Sequence, residues 1–197
     1  QKKSHPSKAT FFARLPFGIM VALVFLLPAF FIPSSSFNIS FTKVLVAVCL
    51  ISLALTLFVI KSLKDGSLTM PKTWLVAILM LLPAWFFLSA VLNSGISRSL
   101  FGSFTDVGTV GLISIGSIAS LLTAVSIRTR SHIFYFYSAL LVSFLLLAFI
   151  QSTRLFFGPD TLTFGVLINS VSNLVGKWND FGIFAGLSAL LSLITIE

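Results

Sequence analysis

Residues 15–32 read LPFGIMVALVFLLPAFFI, eighteen consecutive positions without a charged side chain. A bilayer's hydrocarbon core is about 30 Å thick, and a helix rising 1.5 Å per residue needs about 20 apolar residues to cross it. Five more stretches have the same character: Phe41–Ile60, Trp74–Leu92, Val107–Ile127, Ile133–Ile150 and Phe181–Ile196. None carries a charge in its interior, Lys43 standing at the start of the second. The sequence therefore predicts an all-α fold, a polytopic transmembrane bundle of about six helices forming one transmembrane domain over residues 1–197.

Composition points the same way. Hydrophobic residues make up 57% of the chain and charged residues 9%, with 22 phenylalanines among 197 positions. A soluble domain carries about 25% charged residues, so this chain lacks the polar surface to keep a globule wet. The net charge of +8 does not indicate nucleic acid, because the basic residues sit in short gaps between apolar runs rather than along one stripe. In a membrane protein such clusters set orientation and meet anionic lipid heads. One cysteine, Cys49, and two histidines far apart in sequence, His5 and His132, give no His/Cys metal site, and no cofactor is expected.

Lysine and arginine alternate between the gaps. The N-terminal tail (Lys2, Lys3, Lys8, Arg14), the 61–73 gap (Lys61, Lys64, Lys72) and the 128–132 gap (Arg128, Arg130) hold nine. The intervening gaps hold four: Lys43, Arg98, Arg154 and Lys177. The positive-inside rule then places the N-terminus in the cytoplasm and segments 33–40, 93–106 and 151–180 outside. The first span is longer than the 7–15-residue core of a signal peptide and lacks a small-x-small cleavage site before Pro33–Ser36, so it reads as a signal anchor.

Within the spans, Pro28 and Pro83 are expected to kink their helices. The small residues of the fourth span, from Gly108 to Ser120, and the pair Gly182 and Gly186 are expected to let backbones approach inside the bundle, or between two copies of it. The start at Gln1 and the stop at Glu197 within an apolar run lead us to expect a piece of a longer protein.

The loops divide into plain and informative. KSLKDGSLTMPKT at 61–73 is a turn, with Asp65-Gly66 and Met70-Pro71 as its signals. The 93–110 segment reads first as a solvated loop; beyond that, Arg98 either pairs with Asp106 or meets a phosphate. The 151–180 stretch, QSTRLFFGPDTLTFGVLINSVSNLVGKWND, is too long for a tight turn and too apolar for a free loop. It is expected to form an interfacial or re-entrant element at the outer face, and long structured loops are often functional. Trp178 suits the interfacial aromatic belt. Asp180 suits either a helix N-cap or a substrate role.

The run Ser172-Asn173-Leu174-Val175-Gly176-Lys177-Trp178-Asn179-Asp180-Phe181-Gly182, entering an apolar helix, resembles the O-antigen ligase and O-antigen polymerase superfamily. Phe101-Gly102-Ser103-Phe104 resembles the short outer loop these proteins carry in the same relative place. The resemblance covers the N-terminal half of that architecture. It implies a metal-independent membrane glycosyltransferase of the bacterial inner membrane, acting in cell-envelope polysaccharide biosynthesis. Such an enzyme moves a glycan from a polyprenyl-pyrophosphate carrier to an acceptor at the outer face. The family's characteristic Arg and His residues lie in a later outer loop, so none is carried over, and this chain alone is expected to be catalytically incomplete.

A lipid pyrophosphate needs cations at the outer headgroup level. Arg98, Arg154 and Lys177, with Asn179 and Asp180 beside the last, are the candidate substrate-binding residues. The plainer reading of each cation is a snorkelling anchor. Asp160 and Asp180 are general-base candidates by elimination only. The rival readings are a transporter or lipid-linked glycan flippase and a non-enzymatic scaffold. Ion-coupled carriers place ionisable groups inside the membrane, and the interiors of these spans have none.

Overall fold

The computed structural model describes residues 8–33, 39–66, 74–92, 99–100, 102, 109–127, 129–158, 160–162, 167 and 173–196. Among them, six helices of 17 residues or more follow one another: α1 Lys8–Ala29, α2 Ile39–Asp65, α3 Trp74–Leu92, α4 Val110–Ser126, α5 Arg130–Phe157 and α6 Trp178–Ile196. No strand occurs among the described residues. The all-α expectation is met. The physical reason is that hydrocarbon offers backbone N–H and C=O groups no partner, and a helix satisfies them within one segment.

Three helices, Ile39–Asp65, Arg130–Phe157 and Trp178–Thr195, are long and apolar enough to cross a bilayer, which makes the chain a membrane protein. The apolar stretches Leu15–Ala29 within α1 and Val76–Leu92 within α3, and the helix Val110–Ser126, are shorter. Large apolar side chains point outward, with Trp74 87% and Leu92 77% exposed, a surface that water would not tolerate on this scale. Two boundaries differ from the sequence reading. The first helix ends at Ala29, so Pro28 stands in its last turn rather than mid-span. The fifth continues seven residues past Ile150 to Phe157, taking Gln151 and Arg154 into the helix.

Local signals account for several ends. Thr109 caps α4, its hydroxyl accepting from the Leu112 N–H at 3.4 Å while its carbonyl accepts from the Ile113 N–H at 3.1 Å. Gly66, at φ +61°, follows the last residue of α2 in the left-handed conformation that ends many helices. Serine and threonine hydroxyls inside helices mostly donate to the carbonyl four residues back, as Ser114 does to Val110 at 2.7 Å and Thr123 to Ala119 at 2.8 Å.

The contacts divide the chain into two compact units: Gln1–Met20 with Val48–Thr129, and Val21–Ala47 with Arg130–Glu197. In the first, α3 packs against α4, and Met20, Ile51, Ala54, Ala90, Val110, Leu122 and Val125 are buried. A Cβ at Gly111 would stand 3.2 Å from the Leu100 carbonyl oxygen, so this small residue does permit a close backbone approach. In the second unit α5 packs against α6, and Leu147, Leu167, Leu174 and Phe184 form the core. Phe144 stacks on Phe181 at 6.2 Å and meets Phe184 edge-on at 5.7 Å. Within the bundle nothing approaches Gly182 or Gly186: no atom lies within 4 Å of the place a Cβ would take on either, apart from the helix's own backbone and chain neighbours.

Candidate functional site

The second unit gathers polar groups where α5 ends and α6 begins. The segment between these helices is anchored first by Arg154, in the last turn of α5. Its side chain is 3% exposed, and Nη2 donates to the Leu167 carbonyl oxygen at 3.1 Å. A buried guanidinium is tolerable only where hydrogen bonds replace its hydration. Leu167 is itself fully buried, so this bond pins the middle of the connecting segment to the helix.

Next comes a tight loop centred on Asn173, which is 2% exposed. Its Oδ1 accepts from the Val175 N–H at 3.0 Å and the Gly176 N–H at 2.8 Å, and its own N–H donates to the Gly176 carbonyl at 3.3 Å. A side-chain carbonyl that substitutes for a backbone acceptor in this way shapes a turn locally. Gly176 then takes φ +155°, and a Cβ there would stand 2.6 Å from Asp180 Oδ2. The backbone conformation favours glycine, and a Cβ would in addition push the Asp180 carboxylate from its place.

Asp180 completes the loop. Its Oδ2 accepts from the Lys177 N–H at 2.8 Å, while the Lys177 carbonyl accepts from the Phe181 N–H at 3.1 Å. Lys177 is therefore the cap residue of α6, and Asp180 reaches back from the third helical position, the acidic half of a capping box. The capping role expected of Asp180 is present, but from inside the first turn, where its charge also meets the positive end of the helix dipole.

The residue that sequence reasoning missed is Lys43. From the fifth position of α2 its Nζ donates to the Pro28 carbonyl at 3.1 Å and to the Val175 carbonyl at 3.1 Å. One ammonium thus satisfies an orphan acceptor in the last turn of α1 and holds the loop beside Gly176. The signal that marks Lys43 in the sequence is its position, a cation inside the start of an otherwise uncharged apolar run; we read it there only as an orientation charge.

Of the sequence candidates, the fold brings Arg154, Lys177, Asn179 and Asp180 to this end of the second unit. Arg98 lies outside the described residues. Arg154 faces inward onto backbone, whereas Lys177, Asn179 and Asp180 are exposed. Trp178 is 39% exposed and meets Phe181 edge-on at 6.2 Å. Among the described residues no three His, Cys, Asp or Glu side chains come together as a metal site would require.

The chemistry of this end follows from its inventory. Among the described residues, three cations, Lys43, Arg154 and Lys177, stand at this end with two carboxylates, Asp180 and, in the turn just after α5, Asp160. Lys43 and Arg154 are committed at least in part to carbonyls, which leaves Lys177 as the exposed cation on a fixed loop. The arrangement suits an anionic group arriving from the headgroup region. Comparison with protein-family models, with curated proteins and with solved structures finds no match to this chain.

Proposed function

We propose that the 173–180 loop handles an anionic lipid-linked glycan at the outer face of the bacterial inner membrane. On this reading the chain is part of a membrane glycosyltransferase of the O-antigen ligase or polymerase type, taking glycan from a polyprenyl-pyrophosphate carrier. The observation that carries the proposal is the construction of the loop. Lys43, Asn173 and Asp180 fix its backbone from three directions, and Lys177 and Asn179 stand exposed on the fixed segment. The charge alternation that puts this end outside the membrane supports the same assignment, as does the resemblance of residues 172–182.

Two phosphates on a lipid carrier demand cations and N–H donors at headgroup depth. Lys177 supplies a flexible point charge there, and Asn179 a neutral donor. The test is binding in nanodiscs of polyprenyl pyrophosphate and of the neutral polyprenol. The charged lipid should bind more tightly, and Lys177→Ala should weaken it by about tenfold, the loss of one charge-assisted contact of about 1.4 kcal/mol. Equal affinity for the two lipids would reject the proposal. Arg154→Ala is the less informative substitution, because Arg154 also holds Leu167 in place.

A further inference from the structure

At the opposite end of the same helix pair, where α5 begins and α6 ends, lies a partly open crevice of about 130 Å³. Its walls are mainly apolar, but five hydroxyl side chains line it: Tyr137 and Ser138 from α5, and Ser188, Ser192 and Thr195 from α6. Ser192 donates to the Ser188 carbonyl and Thr195 to the Leu191 carbonyl, each at 2.8 Å. Their oxygens keep acceptor capacity. Ser188 behaves differently: it is 2% exposed, and its Oγ has no hydrogen-bond partner. Several helical hydroxyls find the carbonyl four residues back; of the two buried ones that find no partner, Ser143 and Ser188, Ser188 is the one that lines the crevice, where a partner from outside the protein can reach it.

We propose that this crevice is filled with water continuous with the solution at that end, a hydrated indentation reaching as deep as Ser188. The volume accommodates several water molecules, and water is stable in a cavity that offers two or more polar partners. A lipid tail would leave the Ser188 hydroxyl unsatisfied in a medium of low dielectric, which is costly. Ser188 lies eight residues before the end of α6, so the water reaches about 12 Å along the helix. This inference is independent of the glycan-carrier reading. It also gives the transport alternative a physical feature to build on, since a water-filled recess opposite the 173–180 loop is what a path through the helix pair would need.

The test is thiol accessibility in the intact chain reconstituted in vesicles, with Cys49 replaced by Ala. Cysteines at Ser192 and Ser138 probe the crevice. Cysteines at Leu190 and Ile194, which bracket Ser192 in depth and are exposed on α6, report the lipid-facing surface. A charged methanethiosulfonate needs the thiolate, and hence water, to react. Labelling of both crevice cysteines should be at least tenfold faster than of both controls; equal rates would overturn the proposal. Ser188→Ala gives a second reading that needs no label. In a hydrated crevice the substitution leaves the melting temperature unchanged or slightly lower, whereas in a dry one, removal of an unsatisfied hydroxyl raises it, and a rise would also overturn the proposal.

Discussion

Lys43 Nζ and the carbonyl oxygen of Val175, 132 positions apart in sequence, stand 3.1 Å apart. The same ammonium reaches Pro28 at 3.1 Å. Replacing Lys43 by Met keeps the volume and removes the donor, stranding two carbonyls at a cost of about 1–3 kcal/mol for each that stays buried. Thermal unfolding in detergent should show Lys43→Met clearly destabilised and Lys43→Arg less so. A Lys43→Met protein as stable as the parent would mean the bridge contributes nothing.

Gly176 is the loop's most constrained position. Alanine there adds backbone strain of about 1–3 kcal/mol and a clash with Asp180 Oδ2 at 2.6 Å. The two costs are separable. Gly176→Ala should be less damaging in an Asp180→Ala background than alone, because the second substitution removes the clash and leaves the strain. A double-mutant cycle showing strict additivity would contradict the geometry.

For Asp180 itself, Asp180→Ala should cost about 1 kcal/mol through loss of the contact to the Lys177 N–H. Asp180→Asn keeps an acceptor but not the charge, and should recover part of it. The measurement is stability at low and high salt. The Asp–Asn difference should shrink as salt rises, since the dipole contribution is screened and the hydrogen bond is not.

These residues also mark where sequence reading reached and where it stopped. Six apolar runs, a charge-poor composition and the turn at Gly66 were legible because length, hydropathy and local conformation are properties of contiguous residues. The sequence reading ends α5 seven residues early because Gln151-Ser-Thr-Arg154 looks like a polar exit. A helix continues wherever its backbone bonds can, however, and Gln151 and Arg154 are buried within the unit. Asp180 was legible as a cap but displaced in register, since capping from the third position and from the cap itself use the same residue types. Lys43 was not legible as a loop anchor, because its partners are main-chain carbonyls contributed by distant segments. Nothing in the composition of Pro28 or Val175 announces them.

Arg154 supplies a local prediction of its own. If its bond to Leu167 pins the segment between α5 and α6, then Arg154→Met should loosen that segment before it unfolds the helices. Limited proteolysis in nanodiscs should cut between residues 158 and 177 severalfold faster than in the parent, with the helical circular dichroism unchanged. An unchanged cleavage rate would show that Leu167 is held by packing alone.

Orientation decides whether the loop meets its proposed ligand. Nine lysines and arginines on one set of gaps against four on the other favour a cytoplasmic N-terminus, and the imbalance is sharper than the count. Lys43, one of the four, is bonded to two carbonyls within the fold and is less available to hold a segment at a membrane face. Lys61 and Lys64, at the other end of α2, have Lys72 close behind them in the sequence. Reporter fusions after residue 65 should therefore be active in the cytoplasm, and fusions after residue 165 outside. The reverse pattern would turn α2, α5 and α6 over together. The 173–180 loop would then face the cytoplasm, where a glycan carried on the outer leaflet could not reach Lys177.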